Sequence, residues 1–115
     1  MKKLLFIAVL LLMVSVKAQE LSPLYEQVED MVKVTNYYQD GNIKEEGFYK
    51  NKIVTGTWIT YDKFGNKTAV ANYKNGKKVG KWFLSTQEGL KEMDYKNNVI
   101  ANVQSWKGNM DVAVK

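Results

Sequence analysis

The adjacent carboxylates Glu45-Glu46 are the first place to look for acid–base chemistry. A general acid and its partner base must converge on one bond. Neighbours on an extended strand point to opposite faces, so this pair does not flank a common bond. Asp62 and Asp94 stand alone. His and Cys are both absent, which removes the usual proton shuttle and the thiol nucleophile. The same absence argues against zinc. Asp40-Gly41-Asn42 is a fragment of a calcium loop without the spaced run of acids such a loop needs, and a turn accounts for it. NGKKVG, residues 75–80, looks like a phosphate loop but lacks the Gly-Lys-Ser/Thr ending and the helix behind it. The expectation is a chain with no catalytic residues, no metal site and no cofactor.

Aromatic and basic residues are what recur. FYKNKIVTGTW, residues 48–58, and NYKNGKKVGKW, residues 72–82, match in register 24 positions apart. Tyr49 and Tyr73, Asn51 and Asn75, Gly56 and Gly80, and Trp58 and Trp82 keep that spacing, as do Gly41, Gly65 and Gly89. A third copy, MDYKNNVIANVQ (93–104), repeats Tyr-Lys-Asn at 95–97. It stands six residues after Gly89, where the earlier copies have eight, and a loss of two keeps strand parity. Two readings of the aromatics Tyr49, Trp58, Tyr61, Tyr73, Trp82 and Phe83 stay open. Stacked at equivalent positions, they form the core of a thin sheet. Alternatively, one column receives a glycan, a peptide or a lipid headgroup, flanked by Lys74, Lys77, Lys78 and Lys81. Those lysines also suit a solvated edge that resists aggregation.

A period of 24 implies an array in which each unit is one supersecondary element. Short stretches rich in β-formers (IKEEGFYK, GTWITYD, KTAVANYK, GKWFLS) alternate with DGN, KN, KFGN and KNGK. Asn-Gly and Asp-Gly are strong hairpin signals because they accept positive φ. In GTWITYD the alternation sets Trp58 apart from Ile59 and Tyr61. The fold predicted is all-β: an antiparallel meander of hairpin repeats in a single sheet, over about 37–60, 61–84 and 85–106. Residues 19–36 form an N-terminal cap segment, either a helix opened by Ser22-Pro23 or, preferred here, strands at Leu24–Val28 and Val32–Tyr38 joined at Glu29-Asp30. Residues 107–115 are a loosely held tail.

These units resemble the MORN-repeat variant of exported bacterial proteins, many labelled YwqK-type antitoxins. The resemblance covers residues 37–104. It rests on Asp40-Gly41, Gly47-Phe48-Tyr49, Asn51, Gly56-Thr57-Trp58, Tyr61 and Gly65. The second unit supplies Tyr73, Asn75-Gly76, Gly80-Lys81-Trp82, Phe83 and Gly89, and the third Tyr95 and Asn97. Lys52 and Asn98 replace the glycine of Asn-Gly. In the third unit Asn102 replaces the next glycine and Gln104 the tryptophan, as in a closing cap. The resemblance implies a curved sheet of hairpins without catalytic residues.

The first eighteen residues read as a signal peptide: a basic Met1-Lys2-Lys3, the apolar run Leu4 to Val16, and a cleavage site after Ala18. Thirteen residues with Ser15 as the only polar member are too few for a membrane span, which takes roughly 20. No transmembrane segment is expected after cleavage. Without Cys the chain cannot carry the lipid-anchored form of signal, nor disulfides. The expected location is the periplasm or surface of a bacterium. The whole chain has a net charge of +5. Past residue 18, fourteen lysines face twelve acids, near +2. Arg, the preferred residue for phosphate and guanine contacts, is absent, so nucleic acid is not an expected partner. The expected role is non-catalytic binding or scaffolding of another envelope or secreted protein. Alternatives are binding of an envelope glycan or anionic lipid, and an immunity-like partnership with a toxin.

Overall fold

The computed structural model describes residues 21–108. The expected signal peptide and residues 109–115 of the expected tail lie outside the described residues. Nine strands follow in chain order: β1 Leu24–Val28, β2 Met31–Tyr37, β3 Ile43–Lys50, β4 Ile53–Tyr61, β5 Lys67–Lys74, β6 Lys77–Lys78, β7 Gly80–Thr86, β8 Gly89–Lys96 and β9 Val99–Lys107. All pair antiparallel in one sheet, in the order β1-β2-β3-β4-β5-β7-β8-β9, with the stub β6 held against β5. The sheet is an open meander, with β1 and β9 at its edges. The two-strand alternative for the cap segment holds, with Val28 pairing Met31 across Glu29-Asp30. Lys107 closes β9 and does not belong to a loose tail, because it pairs with Gly89.

The tight turns follow from the residues in them. Asn51 and Lys52 both have positive φ (51° and 65°), as do Asn75 and Gly76 (50° and 82°) and Asn97 and Asn98 (48° and 72°). Positive φ at both central residues is the type I′ arrangement, whose twist matches that of the flanking strands. The longer connections, 38–42 and 62–66, also match each other. Gly41 N–H donates to the Tyr38 carbonyl and Tyr38 N–H to Asn42, while Gly65 N–H donates to Asp62 and Asp62 N–H to Asn66. The Asp62 carboxylate accepts the N–H groups of Phe64 (2.9 Å) and Asn66 (3.0 Å), and the Asn66 bond leads in holding its pKa below the usual carboxylate value.

Gly89 departs from the expected series. It is not a turn glycine like Gly41 and Gly65 but the first residue of β8. A Cβ there would fall on the Trp106 carbonyl, and its φ is +140°. Close approach of β9, not turn geometry, requires a glycine at this position.

One layer buries little. Among the described residues the buried hydrophobic side chains are Val34, Val70 and Leu90. Ile59, Val70 and Phe83 lie side by side across β4, β5 and β7, and with Leu90 they form the one core cluster on their face. A domain ordinarily packs two layers around its core. Here the second layer is replaced by side chains folded down on the sheet.

Candidate functional site: an aromatic face built on two bulges

The face opposite the Val70 cluster is organised by the two Gly-x-Trp segments. From Glu46↔Ile59 to Phe48↔Thr55 the chain advances two residues on β3 but four on its partner β4. From Val70↔Phe83 to Tyr73↔Lys78 it advances three on β5 but five on β7 and β6. Each hairpin therefore carries two extra residues. Gly56 and Gly80, with φ of +70° and +66°, stand in these bulged segments. A bulge leaves ladder groups unpaired, and a buried carbonyl without a partner is costly. The indoles donate to carbonyls beside the bulges. Trp58 Nε1–H donates to the Phe48 carbonyl at 3.1 Å, and Trp82 Nε1–H to the Asn72 carbonyl at 3.0 Å.

Each indole then collects neighbours. Trp58 meets Tyr49 edge-on, with centroids 5.2 Å apart and planes at 86°. Trp82 meets Tyr73 at 5.1 Å and 68°, and Tyr95 at 5.0 Å and 55°. These are favoured aromatic geometries. Beneath Trp58 lies the buried Gly47, where any Cβ would overlap the indole ring. Burial raises the Tyr73 hydroxyl pKa, with the charge of Glu45 and the neighbouring Tyr95 adding to the effect.

The predicted site residues divide between faces. Tyr49, Trp58, Tyr73 and Trp82 share the aromatic face. Tyr61, three positions after Trp58, and Phe83, one after Trp82, belong to the other, as strand parity requires. Tyr61 donates its O–H to Glu46 Oε1 at 2.7 Å, and Glu46 Oε2 lies 3.7 Å from Lys33 Nζ. Burial and then the Glu46 bond push the Tyr61 hydroxyl up to about 12. The adjacent Glu45 instead accepts from Asn36 Nδ2 at 3.2 Å. The lysines do not form one patch. Lys77 lies exposed at the start of β6. Lys81 reaches Glu92 at 3.6 Å, on the Phe83 side. Lys78 alone joins the rings, its ammonium 5.1 Å from the Trp82 centroid and 5.3 Å from that of Tyr95.

Two contributors escape a reading of the sequence as a candidate surface. Tyr95 completes the second cluster, and the recurring Tyr-Lys-Asn at 95–97 was its signal. Asn72 is a hub. Its Oδ1 accepts from Thr57 at 2.7 Å, its Nδ2 donates to the Lys81 carbonyl at 2.7 Å, and its carbonyl also takes the Val79 N–H at 3.0 Å. Nothing in the sequence marks it, because it occupies the position of Phe48 in the preceding copy.

Among the described residues no cluster of His, Cys, Asp or Glu could hold a metal ion, and no helix is long and apolar enough to cross a membrane. Comparisons of the chain with family models, with curated proteins and with solved structures found no match.

Proposed function

We propose that this chain is an exported, non-catalytic binding or scaffold protein of the bacterial cell envelope. On this reading it is built from MORN-like hairpin repeats and engages another envelope or secreted protein through its aromatic face. The observation that carries the reading is the grouping of Tyr49 with Trp58, and of Tyr73 and Tyr95 with Trp82, on one face of a sheet that has no second layer among the described residues. Half-buried rings held in place by backbone bonds lose little side-chain entropy on contact, which is why aromatic residues are enriched in interfaces. The repeat assignment is supported by the matching I′ turns, by the two equivalent longer turns, and by the indole-to-carbonyl bond made twice, 24 residues apart.

The test places a photoreactive phenylalanine at Tyr73, with the same substitution at Tyr61 on the opposite face as control. Irradiation in intact cells followed by mass spectrometry is expected to yield one dominant envelope protein from the Tyr73 position alone. No captured protein, or the same set from both positions, overturns the reading.

A second reading, a glycan or anionic-lipid site, is favoured by one feature, the Lys78 ammonium set against Trp82 and Tyr95. Binding to anionic vesicles that falls steeply with salt, and is lost in Lys78→Gln, would support it.

A further inference from the structure

Among the described residues the sheet ends in two edge strands, β1 and β9, and they differ in charge. Large exposed hydrophobics gather on them: Leu24, Tyr25 and Val28 on β1, and Val99, Ile100 and Val103 on β9. Every residue of both strands is exposed. Residues 21–30 hold Glu26, Glu29 and Asp30 and no base, whereas 96–108 hold Lys96 and Lys107 and no acid. Asp30 is engaged by Lys50 at 2.9 Å, so Glu26 and Glu29 carry the acidic character of the β1 edge.

Backbone groups on both edges point outward in a row. Gly108 N–H donates to the Glu88 carbonyl at 3.2 Å. Antiparallel alternation then turns the main chain of Gln104 and Trp106 toward β8, and that of Val103, Ser105 and Lys107 away from it. On β1 the two-residue turn closes on Val28 and Met31, the hydrogen-bonded pair of such a hairpin. Tyr25 and Gln27 therefore present their N–H and C=O groups outward.

A long, apolar edge strand of this kind is a template for another strand. We propose that the strand is supplied by a second copy of this chain: β9 of one copy pairs antiparallel with β1 of the next, and the meander continues across the boundary. Opposite charge selects this pairing. A β1–β1 contact sets two acidic edges together and a β9–β9 contact two basic ones, and like charges across a pair of strands are destabilising. The contact is heterologous, so it grows into a ring or a filament instead of stopping at a dimer. It uses neither Trp58 nor Trp82, and stands independently of the aromatic-face reading.

Two edge-blocking variants test the proposal. Ser105→Pro removes an outward donor from β9, and Gln27→Pro removes one from β1; proline is tolerated where the N–H faces solvent. Sedimentation velocity of the unsubstituted chain over a concentration series is expected to show species beyond the dimer. Each proline variant alone is expected to be monomeric. An equal mixture of the two forms a 1:1 complex, since one keeps β1 and the other β9. Self-association of Gln27→Pro, a monomeric parent chain at all concentrations, or no complex in the mixture overturns the proposal. Should a proline variant fail to fold by circular dichroism, charge reversal decides. Glu26→Lys and Lys107→Glu are each expected to weaken association about 10-fold, and the two combined in one chain to restore it. Unchanged association in both single variants overturns it equally.

Discussion

The hairpins β3–β4 and β8–β9 follow one sequence pattern and reach different states. Both carry Tyr-Lys-Asn into a turn of two positive-φ residues. Beyond the turn, β4 offers Gly56 and Trp58, where β9 has Asn102 and Gln104 at the same distance. Most of β4 is half-buried, while all of β9 is exposed. The register shift in the first hairpin is two residues. In the last it is one, with Asp94↔Asn102 followed by Tyr95↔Ile100. A thin sheet thus makes its second layer out of its own indoles, and a hairpin without one stays bare. A further residue separates the two. Gly47 stands two positions before Tyr49, Ala71 two before Tyr73, and Met93 two before Tyr95. The residue at this position, which at Gly47 is the floor beneath Trp58, is small in the two copies that carry a tryptophan and large in the one that does not.

The most damaging way to break the contrast is to fill that floor. Gly47→Val places carbon inside the Trp58 indole. The ring must leave, its bond to Phe48 is lost, and the expected cost is about 3–5 kcal/mol, the range for deleting a packed tryptophan. Urea unfolding is the measurement, with Ser105→Val on exposed β9 as the reference at within about 0.5 kcal/mol. In a Trp58→Ala background the same Gly47 substitution should cost far less, because the two act through one contact. Equal costs in both backgrounds would falsify the floor argument.

Truncating the ring itself is next in size. Trp82→Ala is expected to cost about 3 kcal/mol, while Gln104→Ala at the matching place changes stability by less than about 0.5 kcal/mol. The contrast sharpens with Gln104→Trp, which should add nothing: the one-residue shift pairs Gln104 with Glu92 and Val103 with Met93, so a ring at 104 falls on the Phe83 face, away from Tyr95. Stabilisation by that change alone would show that the indole, and not the register that aims it, is the limiting element.

How much of this was legible follows from which signals are local. The strands and I′ turns were written in alternation and in the Asn pairs, since both depend on a few neighbouring φ angles. The separation of Tyr61 from Trp58 is legible by parity, as the alternation in GTWITYD shows, and the same rule separates Phe83 from Trp82. The role of Gly89 was hidden, because it depends on how closely β9 passes, a distance set 17 residues away in the chain. Asn72 was hidden too. Its four bonds reach Thr57, Val79, Lys81 and Trp82, and no spacing rule announces a residue that works through bulge carbonyls.

The turns give a smaller test of the same two regions. Lys52 and Asn98 hold positive φ at the position where a I′ turn favours glycine. Lys52→Gly relieves an L-residue of the left-handed region and is expected to stabilise by about 1 kcal/mol. Asn98→Gly relieves the same strain but loses a bond, because the Asn98 Oδ1 accepts the Lys78 N–H at 2.8 Å. Its net effect should lie near zero. Thermal melts of the two variants side by side read the difference, and equal gains would mean that the Asn98 bond contributes nothing.

The smallest expected effect concerns what ties the bare hairpin to the stapled part. Lys78 meets Asn98 through two backbone-level bonds, donating to Oδ1 and accepting from the Asn98 N–H at 2.9 Å. Its ammonium adds a charge set against both Trp82 and Tyr95. Lys78→Gln keeps the backbone bonds and removes the charge, so it isolates the cation–π contribution, about 0.5–1 kcal/mol at a half-exposed site. The diagnostic quantity is the coupling between Lys78→Gln and Tyr95→Leu in a double-mutant cycle. Positive coupling places the ammonium among the contacts that hold β8 to the stapled region. With no coupling, the last hairpin depends on the Trp82–Tyr95 contact and the Asn98 bonds alone, and Lys78 is left for a ligand.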